Sequence, residues 1–180
     1  MNQRTKIFIA ALIVVLAAAS RLVKHPFNFT PIVAMAIFGG YYLKNRLAVI
    51  LPLVAMVISD YFIGFYDWQV MASVYVSILL AFVIGKYASN KKWFFIPLSS
   101  LVSSIIFFLI TNFAVWAFFD WYPHTWSGLI QNFTLALPFF RNTLAGDLVY
   151  TGLFFGLYEM AVYLSAKLAK KKELVPDSVF

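Results

Sequence analysis

Six apolar stretches alternate with short turns, and the basic residues of those turns fall almost wholly on every second one. The stretches cover about 7–23, 30–43, 46–66, 69–87, 93–119 and 143–166. Arg4 and Lys6 precede the first. Lys44 and Arg46 follow the second, Lys86, Lys91 and Lys92 the fourth, and Lys167, Lys170, Lys171 and Lys172 the sixth. The other turns hold only Arg21, Lys24 and Arg141, with Asp67 and Asp120. A span needs about 20 apolar residues, and short loops rich in Lys and Arg stay cytoplasmic. The pattern predicts an all-α integral membrane bundle of six spans with the N- and C-termini cytoplasmic.

Composition agrees. The chain is 63% hydrophobic and 12% charged, whereas soluble domains are about a quarter charged. Its 180 residues leave no room for a soluble domain, so a single transmembrane domain over 1–180 is expected. The net charge of +7 is spread over helix ends, where it sets topology and meets anionic headgroups. No nucleic-acid partner is expected. There is no cysteine, and His25 and His124 each adjoin a proline in a turn, so neither a metal site nor a cofactor is expected. No Gly-rich phosphate loop occurs.

The first stretch, with Arg4 and Lys6, an apolar run from Ile7 to Leu16 and then Ala17-Ala18-Ala19-Ser20, also has the make-up of a cleavable signal peptide. A retained helix is the expectation. The second is short, with Thr30 placed to cap it, Pro31 at its first position and Gly39-Gly40 near its end. Such a helix either spans incompletely or packs inside the bundle, as interrupted helices do beside transporter sites. Aromatics crowd the turns of the less basic side, as in an interfacial belt. The more polar segment Trp126–Leu137, ending at Pro138, is expected as a separate helix in the outer interface. Small residues at Ala36/Gly40, Gly152/Gly156 and Ser100/Ser104/Thr111 are expected to mark helix contacts, or a partner's docking face.

Ionisable groups inside spans are costly and usually functional. Read with alternating helix directions, Thr30, Asp60, Asn112, Asn142 and Asp147 all fall in the outer third of the bilayer. They predict an outward cavity, with Arg141 as an anion anchor and Phe27, Phe29, Trp116 and Tyr150 around it. The bland alternative is that Asp60 and Asp147 pair with Arg21 and Arg141 and merely close the bundle. An intramembrane aspartyl hydrolase on Asp60 and Asp147 ranks third. Leu144-Ala145-Gly146-Asp147 lacks the first glycine of the Gly-x-Gly-Asp signature, and no Gly-x-Ser-x-Gly elbow occurs. No catalytic residue is assigned.

The runs Asn28-Phe29-Thr30-Pro31-Ile32-Val33-Ala34-Met35-Ala36, Phe38-Gly39-Gly40, Ser59-Asp60, Ile110-Thr111-Asn112-Phe113 and Phe139-Phe140-Arg141-Asn142-Thr143-Leu144-Ala145-Gly146-Asp147 resemble an uncharacterised family of small bacterial six-span proteins. That family in turn resembles the substrate-binding S components of energy-coupling-factor vitamin transporters. The resemblance implies a bacterial inner-membrane protein with an S-component-like fold. It would capture a small molecule from outside and dock on a coupling transmembrane protein driven by ATPases. The S-component docking mark, Ala-x-x-x-Ala on the first helix, is missing: Ala10-Ala11 and Ala17-Ala18-Ala19 have other spacing. The expected ligand-binding set is Phe29, Thr30, Asp60, Asn112, Trp116, Arg141, Asn142 and Asp147. The expected partners are the lipid bilayer and a small-molecule ligand, and the alternative function is a structural or partner-binding membrane protein.

Overall fold

The computed structural model describes residues 3–22, 28–43 and 47–173. They form six helices in the order α1 (Gln3–Ser20), α2 (Ile32–Tyr42), α3 (Leu47–Ile63), α4 (Trp68–Ala88), α5 (Phe95–Phe118) and α6 (Trp126–Glu173), with no strand among the described residues. The fold is all-α. Trp68, Phe118 and Trp126 mark one end of the long helices, here the aromatic end. Lys86, Lys91 and Lys167 mark the other, the basic end.

The shortest apolar helix is the centre of the molecule. Every residue from Pro31 to Gly40 is buried, and α2 touches each of the other five helices. A helix apolar on all sides has no face to give to water and belongs inside a bundle. Its most extensive partner is α4, and glycine makes that approach possible. A Cβ built on Gly40 would run into the Phe82 carbonyl, and one built on Gly85 into the Ile37 carbonyl. The two backbones therefore meet directly, as small residues allow where dispersion rather than water drives packing. Around the same level, Phe38 meets Phe155 edge-on at 5.3 Å and Tyr158 at 5.7 Å between ring centroids.

Helices α5 and α6 run antiparallel along a seam of hydroxyls and rings. Thr151 Oγ1 donates to Ser100 Oγ (3.2 Å), Ser104 Oγ donates to Asp147 Oδ2 (2.6 Å), and Asn132 Nδ2 donates to the Asn112 carbonyl (2.8 Å). Between them Phe108 lies 5.5 Å from Phe133 and 4.6 Å from Phe140. That contact explains a correction. The segment expected as a separate interfacial helix over 126–137 is the first part of α6, which runs unbroken through Pro138 for 48 residues, about 72 Å at 1.5 Å per residue. Proline removes one rung of the ladder, and rings on both sides of it gripping one residue of α5 hold the helix together.

Two further expectations change. Pro31 itself occupies the cap position of α2, and Thr30 makes no capping bond. The Gly152/Gly156 pair touches nothing: a Cβ at either would meet no atom within 4 Å. The inward face of α6 carries Asp147, Thr151, Phe154, Phe155 and Tyr158 instead. Ala36/Gly40 and Ser100/Ser104 do lie at helix contacts.

The outer surface is strongly apolar. Trp126 is 82% exposed, Trp93 78%, Tyr61 71% and Phe62 68%, far beyond the scattered apolar residues of a soluble surface. Three segments, Trp68–Ala88, Phe95–Phe118 and Trp126–Leu168, are long and apolar enough to cross a membrane, while Ile32–Tyr42 and Pro52–Ile63 are shorter apolar helices.

Candidate functional site

Because α2 is short, it cannot fill the bundle to both ends. With 11 residues it is about 16 Å long. Ile37 lies against Gly85, so α4 continues roughly three turns past the start of α2 toward the aromatic end. The space above Pro31 is where two adjoining cavities lie.

The first, of about 240 Å³, has Arg21, Asn28, Thr30, Tyr66, Thr143 and Asp147 as polar lining and Ile32, Val33, Val74 and Phe107 as apolar lining. The second, of about 300 Å³, shares Asn28, Val74, Phe107 and Thr143, and adds Thr111, Asn112, Phe108 and Phe140 among others. Asn28 stands between them with a positive φ of 60°, a left-handed conformation asparagine tolerates better than most residues. Together the cavities reach the size of ordinary small-molecule sites, roughly 300–1,000 Å³.

The two buried carboxylates differ in kind. Asp60 is fully partnered: Arg21 Nη2 donates to Oδ1 at 2.9 Å and the Tyr75 hydroxyl to Oδ2 at 3.0 Å. Arg21 Nη1 also donates to Ser59 Oγ, and lies 3.1 Å from Met56 Sδ. The arginine side chain is 9% exposed and the aspartate 1%, so this is a buried ion pair of the kind that survives only with good geometry and extra hydrogen bonds. Asp147 is equally buried at 1%. Its partner is the Ser104 hydroxyl, and the Arg21–Asp60 bridge is the one ion pair among the described residues. Ser104 lies nearer the basic end of α5 than the aromatic end, so Asp147 sits deeper than the outer third expected for it.

Of the eight expected site residues, Thr30 and Asp147 line the first cavity and Asn112 the second, where its amide donates to the Phe108 carbonyl at 2.8 Å. Asp60 stands behind Arg21 as a brace. Phe29 packs on Tyr150 at 5.6 Å and its Cα comes 3.2 Å from a Cβ built on Gly146, and it lines neither cavity. Trp116 donates Nε1–H to the Pro123 carbonyl at 3.0 Å and meets His124 edge-on at 5.6 Å. It ties down the loop after α5 and does not line either cavity. Arg141 and Asn142 are exposed and line neither cavity, and Arg141 is not paired with Asp147. Phe27 lies outside the described residues. Asn28, Tyr66, Val74 and Phe107 are cavity walls that sequence reasoning passed over, while Thr143, expected in the same polar layer as Asp147, lines both cavities.

Two other hollows are of different character. One of about 380 Å³ lies between α1 and α3 on the apolar outer surface, walled by Val15, Leu22, Val54, Ile58 and Phe62. One of about 310 Å³ lies at the basic end beside Lys6, Tyr41, Tyr42 and Glu159, where the Tyr42 hydroxyl donates to Glu159 Oε1 at 2.6 Å. Among the described residues no group of three or more His, Cys, Asp or Glu could hold a metal ion.

Over residues 1–171 the chain matches a family described as a family of unknown function, DUF6580, and it belongs to that family. No curated protein and no solved structure matches it.

Proposed function

We propose that the protein is a six-span component of the bacterial inner membrane, both termini cytoplasmic, that captures a small molecule from the outer side. The observation that carries this reading is the truncated central helix: polar groups from before α2, from the turn after α1 and from α6 converge on a hollow above Pro31, on the side of α2 nearer the aromatic end. The opposite end holds the basic turns, which fits the cytoplasmic side. The apolar outer surface and the aromatic rim suit lipid and its headgroup zone. The bundle is S-component-like in this respect, an outward site above a buried core.

Docking on a coupling protein with ATPases has less support. On α1, Ala10, Ala17 and Ala18 are buried in the bundle while Ala19 is exposed, so the helix that would carry the docking mark uses most of its small residues for internal packing. A partner-binding role without a ligand is the second reading. It rests on Gly152 and Gly156, which stand open on the exposed face of α6. An aspartyl hydrolase is not favoured, because Asp60 is engaged by Arg21 and Tyr75 rather than facing Asp147 as a dyad requires.

Two experiments test the proposal. Single cysteines replacing Asp67, Trp121 or Lys91 in this cysteine-free chain should separate by side: the first two label with an impermeant thiol reagent on intact cells, and position 91 does not. Mass spectrometry of small molecules that co-purify with the chain should find one that is lost in Val74→Trp, which fills both cavities. Labelling at position 91, or the same molecules on both proteins, counts against it.

A further inference from the structure

Resting on the proposed capture site, we infer that its ligand carries a positive charge, as a small protonated amine, and that Asp147 is the group that meets it. The inference comes from the charges that bound the first cavity. Arg21 and Asp147 line it, and Asp60 lies behind Arg21. The guanidinium is already neutralised by Asp60 and tied to Ser59, so it offers an anion little. Asp147 is 1% exposed, bonded by one serine hydroxyl, and has no cation in ion-pair range among the described residues. The start of α2 opens on the same space through Ile32 and Val33. Its dipole supplies about half a positive charge at most, which leaves the cavity short of a full one.

A buried charge persists only when it is paired. A buried carboxylate at the wall of a hollow lies within reach of a partner that comes from outside. The remaining walls suit an ammonium with an apolar body. Thr30, Asn28 and Thr143 offer oxygen acceptors, while Tyr66 and Phe107 add ring faces that attract cations. Arg141, the one exposed cation of α6 near this level, lines neither cavity.

The test is thermal unfolding of the full chain in detergent with matched probes at millimolar concentration. These are propylammonium and phenethylammonium, butyrate and 3-phenylpropionate, and 2-phenylethanol as the neutral control. The ammonium probes should raise Tm by roughly 3 °C, as ligands that bind only the folded state do, and the carboxylates should not. Asp147→Asn should lose that response, while Asp147→Glu and Ser104→Ala should keep the preference for amines. Stabilisation by carboxylates, an unchanged response in Asp147→Asn, or no response to any amine overturns the inference. Stabilisation by 2-phenylethanol alone, lost in Val74→Trp, overturns the charge assignment and leaves the capture site standing. The absence of any co-purifying molecule would sink the capture site itself.

Discussion

The two halves of the bundle along α2 are built on opposite rules. Toward the basic end, from Ile37 to Tyr42, backbone meets backbone at Gly40 and Gly85, and rings of α2 and α6 close around Phe38. Toward the aromatic end, above Pro31, the helix is missing and two cavities take its place. The same contrast holds for the acids. Asp60 is paired and hydrogen-bonded on both oxygens, and Asp147, at the wall of the first cavity, is held by one serine hydroxyl. A short central helix thus gives one molecule a solid half and a hollow half.

That contrast predicts unequal costs for substitutions. The largest effect belongs to Arg21→Met, which leaves Asp60 buried without its cation and should cost about 3–5 kcal/mol, read as loss of thermal stability in detergent. Adding Asp60→Asn should recover most of it. Asp147→Asn alone should change stability by less than about 1 kcal/mol, because it strands no partner charge. Equal losses for Arg21→Met and Asp147→Asn would mean that the two acids are not different in kind.

Next comes the glycine contact. Gly85→Val puts a side chain onto the Ile37 backbone, and overpacking of this sort typically costs about 1–3 kcal/mol. Since the obstructing atoms are carbonyl and Cα rather than a flexible side-chain tip, the upper part of that range is expected. The smallest effect should come from Val74→Phe, whose added volume goes into the cavities, with a loss below the roughly 1–3 kcal/mol of overpacking in a filled core. A stability loss at position 74 as large as that at 85 would show the hollow half to be packed.

Much of the architecture was legible in the residues. Apolar runs placed the first five helices within a few residues, because outward-facing and core-facing positions are both apolar and charge gathers in the turns, while α6 starts 17 residues before the stretch read for it, at Trp126 rather than 143. Pro31 and Gly39-Gly40 correctly marked α2 as short, and its uniform apolarity fitted the interior. The third stretch was read too long, since Gly64 takes a left-handed φ of 110° and ends α3 at Ile63. The misreading of α6 has a physical origin: Pro138 and the polar residues before it look like an ending, and only the grip of Phe133 and Phe140 on Phe108, remote in sequence, carries the helix through.

The site was legible in part, and some of the loss was avoidable. Arg141 and Asp147 are six residues apart, which on a helix of 3.6 residues per turn puts them about 120° apart. They therefore cannot share one inward face, whereas Thr143, four before Asp147, can and does. Trp116 shares a face with Asn112 by the same rule, yet its indole turns to the Pro123 carbonyl. No spacing reveals that choice. Tyr66, Asn28 and Arg21 come from turns, where periodicity says nothing about direction.

The most direct test of the account compares the two halves in one assay. In the cysteine-free chain, Thr143→Cys and Ser100→Cys place single thiols on the cavity wall and in the buried α5–α6 seam, with Trp121→Cys as an exposed reference. On intact cells, a small impermeant methanethiosulfonate should modify position 143 at a rate approaching that of 121, and leave position 100 unmodified. Protection of 143 to the level of 100 would contradict the account, because the space above Pro31 would then be closed to the outside.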